Sequence, residues 1–106
     1  MYAAPEQVSR SFGEVDWRTD IYQLGAVLYE MLTGRPPFPE EDPARLIGLI
    51  VEGAVEPPSS VNPRVPEGVE KVVLKAMARR KEDRYHSVDL MVEALRKATQ
   101  QSEDGF

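Results

Sequence analysis

The stretch from Asp20 to Leu32 constrains this chain more than any other, because it reads as a helix with too few polar positions to face water comfortably on any side. Asp20 followed by Gln23 has the form of a capping pair, and Thr33-Gly34-Arg35-Pro36-Pro37 is a stop signal with Gly34 in the left-handed cap position. Between these signals Ile21, Tyr22, Leu24, Ala26, Val27, Leu28, Tyr29, Met31 and Leu32 cover nearly the whole circumference, broken mainly by Gln23, Gly25 and Glu30. A helix apolar all round is a buried helix. The expected architecture therefore has a central helix at about residues 20–33 with the rest of the chain packed around it.

Three further helices are readable. Asp42-Pro43 is a cap with proline in the first turn, leading into Leu46, Ile47, Leu49, Ile50 and Val51 before Gly53. Glu67 to Ala78 places Val69, Val72, Val73, Ala76 and Met77 at helical spacing, and Ser87 opens a last helix with Val88, Met91, Val92, Leu95 and Ala98 on one face. Gly53 to Pro66, with Pro57, Pro58, Pro63 and Pro66, is expected to be an ordered extended loop and neither helix nor central strand. The predicted fold class is all-α with four main helices. One folded unit spans 1–98, and a flexible polar tail spans 99–106.

Four helices of ordinary length are few to cover a central helix that wants burial on every side. Burying a Leu or Met side chain is worth roughly 1.5 to 3 kcal/mol, so an uncovered half of that helix is costly, and a large exposed apolar patch marks an interaction surface. The pattern predicts a missing partner layer.

Composition narrows the partner classes. A formal charge of -5, with no basic run longer than Arg79-Arg80-Lys81, argues against nucleic acid or an anionic membrane. There is no cysteine, hence no disulfide, thiol chemistry or cysteine-based zinc site, as suits a reducing cytosol. No stretch approaches the roughly 18 apolar residues of a membrane span, and Met1-Tyr2-Ala3-Ala4-Pro5-Glu6 shows no export signal. The expectation is a cytoplasmic protein. His86 lacks a second histidine or a carboxylate pattern for a metal site and reads as a surface or cap residue.

Four strings in register then point to a family. Tyr2-Ala3-Ala4-Pro5-Glu6 resembles the Ala-Pro-Glu motif that closes the activation segment of protein kinases. Asp20-Ile21-Tyr22-Gln23-Leu24-Gly25 is similar to the start of that family's central large-lobe helix, with Tyr22 in the aromatic place and Gly25 as the motif glycine. Glu30-Met31-Leu32-Thr33-Gly34-Arg35-Pro36-Pro37-Phe38 continues the match, and Lys81-Glu82-Asp83-Arg84-Tyr85 resembles the arginine motif before the last helix. Over residues 2 to about 98 the chain thus resembles the C-terminal part of the helical lobe of a eukaryotic-like Ser/Thr kinase, with a prokaryotic flavour.

The resemblance assigns roles. It implies a buried ion pair between Glu6 and Arg84, where the bland alternative is two solvated charges. It implies that Asp20 holds the catalytic loop, but no such loop is present here, so helix N-cap is the better reading of Asp20. It likens Leu24, Leu28 and their neighbours to the part of the central helix that anchors a kinase's internal hydrophobic stacks, whereas in this chain they read as plain core or exposed patch. It likens the helix from Asp42 to Val51, with Leu46, Ile47 and Ile50, to one that kinases use to dock substrates and regulators; Glu40, Glu41 and Asp42 ahead of it favour a basic partner or are simply a solvated face.

The chemistry itself is missing from these residues. Phosphoryl transfer needs a glycine-rich loop, a lysine paired with a helix glutamate, a catalytic-loop aspartate and asparagine, and a magnesium-binding Asp-Phe-Gly. In the family all of these precede Ala-Pro-Glu, so the chain by itself is expected to be non-catalytic and to hold no cofactor, with MgATP belonging to a parent kinase. Three readings follow: a piece of a Ser/Thr kinase, a stand-alone interaction module derived from one, or an unrelated helical domain. The expected partners are the missing N-terminal part of the kinase or another copy of the chain, with a protein substrate or regulator at the docking helix.

Overall fold

In the computed structural model, which describes residues 2–53 and 55–101, the long helix α2 runs from Trp17 to Thr33 and follows a single turn, α1, at Pro5–Val8. Helix α2 starts ahead of the expected cap because Asp16 and Thr19 form the capping box. The Arg18 N–H donates to Asp16 Oδ1 at 2.9 Å, and the Asp16 N–H donates to Thr19 Oγ1 at 3.2 Å. Asp20 is thus corrected from an N-cap to an exposed residue of the first turn, and its supposed partner Gln23 reaches Gln7 instead. The helix stops where expected, at Gly34, whose φ of 79° is open to glycine at little steric cost.

Helix α3 spans Pro43–Glu52, capped by Asp42, whose Oδ1 accepts from the Ala44 N–H at 3.1 Å. Helix α5 spans Glu67–Ala76 and α6 spans Val88–Gln101, with Ser87 Oγ accepting from the Leu90 N–H at 3.1 Å. Between α3 and α5 the proline-rich segment is not wholly extended: Pro58–Val61 form one helical turn, α4, with Pro58 at a first-turn position where its missing N–H costs nothing. Ala54, within that segment, lies outside the described residues. The segment is held down by Tyr29, whose hydroxyl donates to Glu56 O at 2.7 Å, and by Asn62, whose Nδ2 donates to Leu32 O at 2.9 Å. The polar tail expected from Thr99 is helical through Gln101; residues 102–106 lie outside the described residues. Two 3-10 turns, Arg10–Phe12 and Lys81–Asp83, complete the chain, and among the described residues there is no strand.

Helix α5 divides the core. Its Val69, Val72 and Ala76 join Ile21, Met91 and Ala98 between α2 and α6, while Val73 and Met77 join Ala4, Tyr22, Ala26 and Tyr29 on the other side. Gly25 is where α2 crosses α5 closely: a Cβ there would stand 2.9 Å from both Ala76 Cβ and Met77 Cγ. The molecule measures 41 × 28 × 17 Å along its principal axes, so it is thin in one direction. Helix α2 is accordingly buried on one side only. Leu24 and Val27 are each 43% exposed and Met31 75% exposed on the other.

Candidate functional site: a buried ion pair beside two open clefts

The turn α1 presents Glu6 inward because Pro5, itself buried, fixes its first residue and Gln7 caps it by accepting from the Ala4 N–H at 2.7 Å. Glu6 meets Arg84, 78 residues later in sequence, in a bidentate pair: Nη1 donates to Oε2 at 2.7 Å and Nη2 to Oε1 at 2.9 Å, with both side chains fully buried. The other guanidinium protons are also placed. Nε donates to Ala78 O at 2.8 Å, Nη1 to Arg18 O at 3.0 Å and Nη2 to Arg79 O at 3.4 Å. Thr19 adds a hydroxyl donated to Glu6 Oε2 at 2.6 Å. A buried charge persists only when paired and hydrogen-bonded in this way.

Burial opposes ionisation of Glu6, but the hydrogen bonds from Arg84 and Thr19 outweigh it and hold the carboxyl below its ordinary value. The Tyr22 ring lies under the guanidinium, 4.9 Å from Arg84 Cζ, and burial pushes the Tyr22 hydroxyl up to about 12. Of the motif residues, Glu6, Arg84 and Gly25 are therefore interior, whereas Asp20 faces solvent.

Lys81 makes a second tie that sequence reading missed. Its side chain is nearly buried, and its Nζ donates to Asp16 Oδ2 at 3.0 Å and to Glu14 O. Trp17 Nε1 donates to His86 O at 2.9 Å. The head of α2 is thus fastened at three points to the segment 81–86. In sequence Lys81 stood at the end of the run Arg79-Arg80-Lys81 and at the start of the arginine-motif string without a partner assigned to it; its distance from Arg84, one short turn, was the hint that it shares the interior.

Two clefts flank this frame. An apolar groove of about 290 Å³ lies between α2 and α6, lined by Leu24, Val27, Leu28, Met31, Val88, Met91, Val92 and Leu95. A second, of about 350 Å³, lies between Tyr2, Ala3, Glu30, the Pro36–Phe38 turn, Glu40 and the α3 residues Leu46 and Ile50, with the Tyr2 hydroxyl bonded to Glu30. The expected docking trio is split by the fold: Ile50 is buried, Leu46 partly so, and Ile47 faces water.

An Ala-Pro-Glu turn locked to a later arginine around a central helix is the frame of a kinase helical lobe, and the relatives agree. The chain is 42% identical over 95 residues to the tyrosine-protein kinase MasK of Myxococcus xanthus, covering 90% of this chain and 14% of that protein. It is 44% identical over 98 residues to the serine/threonine-protein kinase Pkn1 of Myxococcus xanthus, covering 92% and 14%. It is 41% identical over 86 residues to the serine/threonine-protein kinase PknH of Mycobacterium tuberculosis, covering 81% and 13%. No family model matches the chain. Over most of its length the chain is similar to protein kinases, its motifs resembling the C-terminal part of their helical lobe, and it spans about one seventh of the length of these relatives.

Proposed function

We propose that this segment serves a protein that transfers the γ-phosphate of MgATP to Ser or Thr hydroxyls, and that its own part is structural: it anchors the end of the activation segment and carries the catalytic half of the lobe on the open face of α2. The observation that supports this most directly is the Glu6–Arg84 pair, which fixes the backbone around Tyr2–Pro5 against the rest of the lobe. Asp20, exposed at the head of the apolar face formed by Leu24, Val27 and Met31, is placed where it can accept hydrogen bonds from a loop lying on that face. ATP, magnesium and the proton-accepting aspartate belong to the part that this face would carry. The setting is cytoplasmic in this reading; within the described residues no helix is long and apolar enough to cross a membrane.

The test is a chimera in which residues 2–98 replace the matching segment of PknH. Retained transfer of phosphate to serine or threonine supports the reading, with Asp20→Ala expected to lower turnover at least about tenfold by loosening the positioned loop. A chimera that folds but transfers no phosphate sinks it. The chain alone, mixed with MgATP and a protein acceptor, is expected to transfer none.

A further inference from the structure

Two arginines meet over one ring on the side of the molecule away from the open apolar face. Phe12, buried at the end of the turn Arg10–Phe12, has Arg79 Cζ 5.0 Å and Arg80 Cζ 5.9 Å from its ring centroid. We infer that this pair of guanidiniums binds a phosphate monoester carried on a protein, the side chain of a phosphoserine or phosphothreonine. The inference rests on the kinase reading only for the source of its ligand, because the transfer proposed above makes that group; the geometry is independent of it.

The place of the site keeps it clear of the surface that the rest of a lobe would use. Arg79 follows Met77, which packs at Gly25 on the covered side of α2, whereas Leu24, Val27 and Met31 stand on the other. The stems and backbone are held. Arg79 lies against Gly53, where a Cβ would come within 3.1 Å of Arg79 Cβ and 3.3 Å of its Cδ, and the Arg79 carbonyl accepts from Arg84 Nη2 at 3.4 Å. Arg80 leads directly into Lys81, whose Nζ is tied to Asp16 and stands over Gly13, the residue after Phe12: a Cβ at Gly13 would be 3.3 Å from it. The turn that carries the ring and the strand of chain that carries the arginines are thus fastened to each other.

Charge then says what the site lacks. Two like charges gathered at one ring repel each other, and the negative face of the ring offsets only part of that. Arg79 and Arg80 are exposed, as is Arg10 in the same turn, and none of the three is in an ion pair among the described residues, although the net charge of the chain is -5. A phosphate monoester brings about two negative charges and three strong acceptor oxygens, enough for a charge-assisted contact from each guanidinium. A lone carboxylate answers one fork and leaves the second charge over. The acidity of the rest of the chain disfavours the long phosphate backbone of a nucleic acid or an anionic membrane, which needs a broader basic face.

Titration calorimetry with a short glycine-alanine peptide bearing one central phosphoserine tests the site, on the purified chain and in parallel on the PknH chimera. The phosphopeptide is expected to bind one to one, and the same peptide with glutamate at least about tenfold more weakly. Arg79→Gln and Arg80→Gln are each expected to weaken binding at least about tenfold with an unchanged melting temperature, since both side chains are in water. Arg79→Lys, which keeps the charge and loses the fork, should retain part of the affinity. Arg64→Gln, at an exposed arginine elsewhere, should change nothing. A phosphopeptide bound no better than its glutamate or serine version, equal binding by the double Arg79→Gln, Arg80→Gln variant, or binding of inorganic phosphate without the peptide overturns the inference. A chimera that transfers phosphate but does not bind the phosphopeptide overturns it and leaves the kinase reading intact; one that binds the phosphopeptide and transfers none does the reverse.

Discussion

Lys81 holds Asp16 at 3.0 Å across 65 residues of sequence, and Asp16 at the same time caps the helix that forms the spine of the molecule. Burial works against the charged carboxylate, but Lys81 first and then Arg18 and its backbone N–H hold Asp16 down at about 2, against an ordinary 3.8. A carboxyl depressed by folding contributes stability that is complete above its unfolded value and is lost as pH falls through its folded one. The melting temperature is thus expected to fall between about pH 4 and pH 2, with Glu6 contributing in the same direction, and Asp16→Asn should flatten part of that fall. Lys81→Met is expected to cost about 1 to 2 kcal/mol at neutral pH and to move the Asp16 titration upward by carboxyl NMR. An unchanged titration would show that Lys81 and Asp16 are not coupled in solution.

Arg84→Ala is the most damaging single change expected on this frame. It leaves the Glu6 carboxylate buried with only the Thr19 hydroxyl for company, and breaking a buried pair from one side costs about 3 to 5 kcal/mol. Since a domain of this size has about 5 to 15 kcal/mol in total, the variant should unfold at markedly lower urea. Arg84→Lys keeps the charge but loses the two-pronged geometry, so it should fall between the two. A loss below about 1 kcal/mol for Arg84→Ala would contradict the burial seen here.

Two glycines inside helices should respond with opposite sign. Gly25→Ala forces a methyl to within 2.9 Å of Ala76 and Met77, where overpacking costs about 1 to 3 kcal/mol and exceeds the roughly 1 kcal/mol that alanine gains as a helix former. Gly48→Ala, with nothing within 4 Å of the new methyl, should stabilise by about 0.5 to 1 kcal/mol. Thermal melts of both variants decide it, and equal shifts would mean that α2 and α5 do not cross closely at Gly25.

Tyr22 is expected to be the last of the well-packed tyrosines to ionise. Burial raises its hydroxyl to about 12, opposed by the Arg84 charge and assisted by Glu6, while Tyr29 and Tyr85 are raised mainly by burial. Because the unfolded chain gives up this proton near 10, stability should decline as pH rises beyond that value. An absorbance titration of Tyr22→Phe should lack the highest phenolate step; if that step persists, it belongs to another residue.

Most helix ends were legible because they are decided within a few residues. Gly34, Gly53, Asp42-Pro43 and Ser87 act through backbone conformation, a missing N–H or a short side-chain bond, and each stands where its local chemistry put it. Asp16 and Asp20 show the limit of that reading. Both precede a polar residue by three positions, and nothing local ranks them. The tertiary structure chose Asp16, where Lys81 and Arg18 attract the carboxylate and Thr19 is needed for Glu6, and left Asp20 in water. Pro58 was likewise open to two readings, since proline both breaks a helix and begins one.

The candidate site divides in the same way. The motif strings named Glu6 and Arg84, but no spacing rule reports whether two charges 78 residues apart share an interior, nor that Lys81 would turn inward to pair with Asp16. By itself the sequence determined four main helices, most of their ends, and a central helix more apolar than its neighbours could cover. What only the tertiary structure decided is which side of that helix is covered. Burial depends on which surfaces meet in three dimensions, and α5, with Met77 after it and Ala4 from the start of the chain, meets the side carrying Tyr22, Gly25 and Tyr29 while Leu24, Val27 and Met31 remain open.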